Sequence, residues 1–252
     1  MVKAKKHLGQ HFLTDKNIAK AIAEAVNCPS GNMLEIGPGT GMLTQFLLEK
    51  EAQLKCVELD EESVEYLQAH YLSLEVQFKD FLKTQLTDFY PEEFSLVGNF
   101  PYNISGPILF KVYENKDQIT ECVGMFQKEF AERVCASPGN KSYGILSVLM
   151  QAFYDCEYMF TVHENVFNPP PKVKSGVIRC TLKAQPDVKT TPRFLKTIVK
   201  AAFNQRRKTL RNALKSFILD SSLKEHPYLS MRAEQLTYQQ FDELCLAIKA
   251  GQ

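Results

Sequence analysis

The stretch M-L-E-I-G-P-G-T-G, from Met33 to Gly41, decides the fold. A short apolar run feeds three glycines at alternate positions, and the helix-like Met42, Leu43, Phe46 and Leu47 follow. This is the pattern of a strand, a tight turn and a helix in an open α/β sheet, whose ligand crevice lies at the carboxyl ends of the strands. Glycines such as Gly37 and Gly39 let the backbone approach a ligand there. The spacing G-x-G-x-G departs from the dinucleotide fingerprint G-x-G-x-x-G. Working outward, the run Leu54 to Leu59 leads to Glu58-Leu59-Asp60 and puts a carboxylate 21 residues after Gly37, where a ribose-binding acid belongs in this architecture. Leu74 to Phe78 leads into Lys79-Asp80, and Phe94 to Val97 into Asn99. A lone acid after a strand is usually a helix cap or a solvated charge. Four successive strand ends carrying Gly37, Glu58, Asp80 and Asn99 instead converge on one edge of a sheet. The expected fold class is therefore α/β, a Rossmann-like, doubly wound parallel sheet completed by the later runs near Tyr154 to Val162 and Gly176 to Leu182.

The ligand that suits these strand ends is S-adenosylmethionine. It has no pyrophosphate to sit on a helix N-terminus, its sulfonium cation tolerates nearby carboxylates, and the glycine loop holds no Lys or Arg. The block G-N-F-P-Y-N-I-S-G-P-I-L, Gly98 to Leu109, supplies the other half of a reaction. Taken alone, Asn-Phe-Pro-Tyr-Asn reads as a strand end and turn. Beside the cofactor motif it reads as a base-handling site, with an amide and a carbonyl to accept from an exocyclic amine and a ring to stack on.

These blocks, together with G-Q-H-F-L (Gly9 to Leu13), V-E-L-D (Val57 to Asp60), Q-K-E-F-A-E-R (Gln127 to Arg133), K-S-Y-G-I-L-S (Lys141 to Ser147), F-N-P-P-P-K-V (Phe167 to Val173) and Q-R-R-K-T-L-R-N (Gln205 to Asn212), cover nearly the whole chain. The sequence resembles the KsgA-type rRNA adenine dimethyltransferases, a class I S-adenosylmethionine-dependent family that methylates two adjacent adenines near the 3′ end of the small-subunit 16S rRNA. The resemblance implies that Gly37, Gly39, Glu58, Asp80 and Asn99 contact the cofactor, Glu58 through the ribose hydroxyls and Asp80 through the adenine amine, with His11 and Leu13 added from the N-terminal block. Family members commonly have Asn in place of His11 and Leu in place of Phe100. Asn99 and the Pro101 carbonyl are expected to hold the target amine in line with the methyl group, and Tyr102 to stack on the flipped base. Phe167 reads either as the residue closing the other face of that base or as a hydrophobic anchor before the rigid Pro169-Pro170-Pro171 run. Orientation of two reactants is worth up to about 7–11 kcal/mol and a stacking contact about 1–3 kcal/mol, so positioning should dominate and no general base is required.

Composition bounds the rest. The 252 residues carry a formal charge of only +1, yet from Arg193 to Ser216 there are eight Lys or Arg and no Asp or Glu, on a helical pattern of apolar residues. Arg206, Arg207, Lys208 and Arg211 form the dense part of this face, the footprint of phosphate contact, and Lys3, Lys5 and Lys6 form a second cluster. No run is long enough to span a bilayer, and the N-terminus lacks the apolar core of a signal peptide. The seven cysteines are scattered, odd in number and without a C-x-x-C pair, which argues against a metal site or disulfide framework and for the cytoplasm. The expected organisation is a methyltransferase domain over 1–185, a linker within Lys183 to Pro192, and a helical rRNA-binding domain over 190–252 ending in an amphipathic stretch from Tyr238 to Ala250. The resemblance suggests a monomer. Two other readings stay open: a large-subunit enzyme of the macrolide-resistance type, and a ribosome assembly factor acting mainly by binding.

Overall fold

The computed structural model describes residues 2–218 and 222–251, so 219–221 and 252 of the expected helical segment lie outside it. The chain opens with β1 (Phe12–Leu13) and α1 (Lys16–Glu24), whose N-terminus is capped by Asp15 accepting from Asn17 N (2.8 Å) and Ile18 N (3.2 Å). Strands and helices then alternate: β2 (Asn32–Ile36), α2 (Thr44–Leu47), β3 (Gln53–Glu58), α3 (Glu61–His70), β4 (Glu75–Phe78), β5 (Phe94–Asn99), α4 (Ser105–Glu114) and β6 (Ile119–Gln127). After α5 (Lys128–Cys135) and α6 (Ile145–Phe153) come β7 (Tyr154–Val162), β8 (Phe167–Asn168) and β9 (Ser175–Leu182). Helices α7 (Pro192–Asn204), α8 (Leu210–Ala213) and α9 (Tyr238–Ala250) follow.

Seven strands form one sheet in the order β4-β3-β2-β5-β6-β9-β7. Pairing is parallel from β4 through β6, and β9 runs antiparallel to β6, so the expected parallel sheet is a mixed one. The chain builds outward from β2 to β4 and then returns to the other side of β2, which makes the gap between the β2 and β5 tips the switch point where ligands bind in such sheets. Strand β6 was not anticipated, although its run Cys122 to Phe126 is fully buried. On β6, the buried Glu121 carboxylate accepts from Asn27 N (3.1 Å), Cys28 N (3.0 Å) and Ser95 Oγ (3.0 Å), which offsets its loss of water.

The described residues group into two compact units. One contains the chain up to Ala131 together with Cys156–Leu182; the other contains Glu132–Asp155 together with the chain from Lys183 onward. The cut after Leu182 falls at the anticipated linker, but Glu132–Asp155, expected within a first domain of 1–185, joins the C-terminal helices. The reason is apolar. Helix α6 buries Leu146, Val148, Leu149, Met150 and Phe153 and packs with α7 and α9, while the Phe203 ring lies 6.3 Å from Tyr143 and 6.1 Å from Phe241. Within this unit, Asp242 of α9 accepts from Lys189 N (2.9 Å) and Thr190 N (2.8 Å), fixing the linker. The helical pattern expected from Arg193 to Ser216 breaks after Asn204, and Arg206 to Lys208 occupy the turn before α8.

Phe100 is 1% exposed. Two glycines make room for its ring: a Cβ on Gly124 would lie 2.0 Å from it and one on Gly98 2.8 Å. Gly124→Ala is therefore expected to destabilise the fold by about 1–3 kcal/mol in urea denaturation, and Phe100→Leu in the same chain to recover part of that loss.

Candidate active site

Strand β2 ends at Ile36 and the chain turns through Gly37 (φ 65°) and Gly39 (φ 57°), in the left-handed region that favours glycine. At Gly39 a Cβ would also lie 2.7 Å from the Phe12 ring, so the N-terminal segment rests directly on the turn. The turn is held from β3. The Glu58 carboxylate accepts from Gly39 N (3.1 Å) through Oε2 and from Leu59 N (2.7 Å) and Asp60 N (2.9 Å) through Oε1. Burial pushes its pKa up, and these three N–H groups oppose the rise. A carboxylate offers about four acceptor positions, so three backbone donors leave one for a ligand hydroxyl.

At the β4 tip, Asp80 Oδ1 accepts from Leu82 N (3.0 Å). The loop after it is braced by Lys111 of α4, whose ammonium donates to Phe81 O (2.6 Å) and Thr84 O (2.5 Å) and lies 4.8 Å from the Phe81 ring centroid. At the β5 tip, Asn99 Nδ2 donates to His11 O (3.0 Å), which commits the amide nitrogen and leaves Oδ1 as the acceptor. Tyr102 OH pairs with Ser175 Oγ (2.6 Å), and burial raises the phenol pKa, so the ring stays neutral. The His11 ring stacks on Tyr102 at 5.6 Å and 28°, and its Nδ1 donates to Pro169 O (2.7 Å).

One cavity of about 280 Å³ gathers His11, Gly37, Gly39, Glu58, Asp80, Asn99, Pro101 and Tyr102. It leaves out two anticipated residues. Leu13 and Phe167 pair across the β1–β8 ladder, each 4% exposed, within the hydrophobic core. Leu13 instead borders a small recess beside the glycine turn, with Glu35, Thr40 and Asn99. In the other unit, Arg206 is tied to Glu234 Oε2 and to Lys141 O (2.6 Å each), whereas Arg207, Lys208 and Arg211 are exposed. The sequence reading missed Lys111, a helical lysine with no motif signal, and Glu35, which sat unassigned inside a quoted block.

The cavity suits the expected cofactor. Ile36, Val57, Leu59 and Phe81 offer an apolar slot for a flat base, and carboxylates stand at its rim. Lys79, which also lines it, is paired with Asp88 (3.5 Å), so the surroundings favour a cationic ligand over a phosphate.

A family model for ribosomal RNA adenine dimethylase matches residues 1–249. The chain belongs to that family. It is 52% identical to the ribosomal RNA small subunit methyltransferase A of Flavobacterium johnsoniae, over 99% of this chain and 97% of that one. Identity to the protein of the same name from Cytophaga hutchinsonii is 53%, over 96% of each. Among solved structures, a dimethyladenosine transferase from Plasmodium falciparum superposes with a TM-score of 0.82 at 26% identity, covering 96% of this chain and 98% of that one. The 23S rRNA methyltransferase ErmE superposes at 0.74 and 24% identity, over 94% of this chain and 99% of that one, and shows the shared fold. The family is S-adenosylmethionine-dependent and the fold is that of the class I methyltransferases.

Glu35, fully buried at the end of β2, accepts from Thr44 Oγ1 (2.7 Å), and burial pushes its pKa up to about 7. Because the folded protein prefers the neutral acid, this group supports the fold at low pH and that support is lost as pH rises from the ordinary carboxyl range to about 7. Glu35→Gln, isosteric with the neutral acid, should flatten that decline and gain about 3 kcal/mol over the parent at pH 8 in urea denaturation.

Proposed function

We propose that this chain transfers methyl groups from S-adenosylmethionine to N6 of two adjacent adenosines near the 3′ end of 16S rRNA in the small ribosomal subunit. It acts in the cytoplasm as a monomer and contributes to subunit assembly. The observation that carries this reading is Asn99, its amide nitrogen committed to the His11 carbonyl and its Oδ1 left as an acceptor, in one cavity with Glu58, Asp80 and Tyr102. The relatives at 52–53% identity bear the small-subunit name, which favours that subunit over the large one.

Glu58 and Asp80 would hold the cofactor, Glu58 through its remaining acceptor position and Asp80 through the acceptor positions left beside its bond from Leu82 N (3.0 Å) and its pairing with Lys83 (3.4 Å). When bound, S-adenosylmethionine supplies an electrophilic methyl group. Asn99 Oδ1 and the Pro101 carbonyl accept hydrogen bonds from the exocyclic amine, which is a poor nucleophile while its lone pair is delocalised into the ring. Bonds that draw the hydrogens out of the ring plane favour the pyramidal amine that reacts. Tyr102 orients the base by stacking, and its neutral phenol takes no part in proton transfer. The proton leaves the cationic product to water, so the site gains from orientation rather than acid–base chemistry. A second methylation presents one fewer N–H, and two independent acceptors allow the monomethyl amine to rebind. Arg207, Lys208 and Arg211, exposed around the turn into α8, supply phosphate contacts.

The test is transfer of labelled methyl groups to undermethylated small subunits, with large subunits in parallel and the nucleosides identified by mass spectrometry. Dimethyladenosine should appear in the small subunit alone; label in the large subunit would overturn the assignment. Asn99→Ala should lower kcat/KM by about 10²-fold or more, the scale set by removal of an aligned polar partner, while particle binding persists. Replacing Arg207 and Lys208 with Ala should weaken binding to the particle and reduce the salt slope by about two.

A further inference from the structure

The outer wall of the cavity is the segment His7 to Phe12, and every one of those six residues lines it. The far end of this wall is fixed by β1 and by His11, which reaches Pro169 O; its near end is the three-residue turn Lys6–Leu8, which buries none of its side chains. The anchors of that near end are polar and gather on Asp60. That carboxylate, 1% exposed at the start of α3, accepts from Lys5 Nζ, from Gln10 Nε2 (3.2 Å) and from Ser63 Oγ (2.9 Å). Gln10 Oε1 in turn accepts from Lys5 N (2.8 Å), which closes a ring of contacts around the turn. Lys5 and Asp60 lie outside the cavity lining, so their pairing acts on the wall and not on the ligand. Burial pushes the Asp60 carboxyl up, but hydrogen bonds from Lys5, Gln10 and Ser63 outweigh it and hold the acid below its usual range, charged at neutral pH.

We propose that Lys5 and Asp60 are positioning residues that latch the N-terminal wall shut over the bound cofactor and set how fast it leaves. The proposal rests on the reading of this cavity as the S-adenosylmethionine site. A ligand enclosed by the wall departs when the wall moves, and the cheapest contact to break is the ion pair whose lysine is 35% exposed and screened by salt. The same segment carries the His11 carbonyl that commits the Asn99 amide, so a latched wall is also the state in which Asn99 is set to receive the target amine.

The experiment follows displacement of S-adenosylhomocysteine from the full chain by stopped flow, with steady-state kinetics for S-adenosylmethionine. Lys5→Ala should raise the dissociation rate and the KM for S-adenosylmethionine by about three- to tenfold, the scale of a charge-assisted pair, with a smaller effect on kcat at saturating cofactor. Lys5→Arg should restore both constants, and added salt should speed release from the parent but not from Lys5→Ala. An unchanged dissociation rate in Lys5→Ala, or a loss confined to kcat, overturns the latch while leaving the cofactor reading in place. Failure of the parent itself to bind S-adenosylhomocysteine or S-adenosylmethionine overturns the cofactor reading, and the latch with it.

Discussion

Three backbone N–H groups, those of Gly39, Leu59 and Asp60, converge on the buried carboxylate of Glu58, and the ligand side of the sheet is built around that point. A buried carboxylate without donors would be expensive, and an unpaired N–H in a glycine turn nearly as much so. Each need answers the other. The acid draws the turn after β2 against the tip of β3, and the glycines provide the positive φ values without which the turn could not reach it. Parallel pairing of β2 with β3 and β5 then brings the remaining strand ends to the same edge.

The far side of the site comes from parts of the chain remote in sequence. The β1–β8 ladder joins Leu13 to Phe167, and His11 reaches both Pro169 and Asn99. The site therefore exists only once the N-terminal segment has docked against β5 and against the loop before β9. The buried pair Leu13 and Phe167 supplies the apolar adhesion for that docking.

Much of this was legible because strand ends announce themselves: Gly37, Glu58, Asp80 and Asn99 each follow an apolar run, and parallel topology does the rest. Phe167 was ambiguous because an aromatic before a proline run has the same sequence signature whether it faces a ligand or the core. Strand β6 escaped because Gly124 interrupts its apolar run and its end falls inside a block better known as a motif. The basic stretch misled for a different reason. Apolar spacing continues across Gln205, but the backbone leaves the helical region there and returns to it only at Leu210, and periodicity has no term for such a break. Lys111 could not have been found, since its task is to hold the carbonyls of a loop roughly thirty positions away.

The helical unit is stitched from two separate lengths of chain, Glu132–Asp155 and the residues from Lys183 onward. That denies it the independence of a terminal module. Deleting everything after Leu182 would not leave a tidy catalytic half; it would strip α6 of α7 and α9 and expose Leu146, Leu149 and Phe153 to water. By the same logic, a chimaera meant to exchange one helical unit for another must transplant both lengths together, and a lineage reshaping this unit would have to remodel two distant stretches of gene in step.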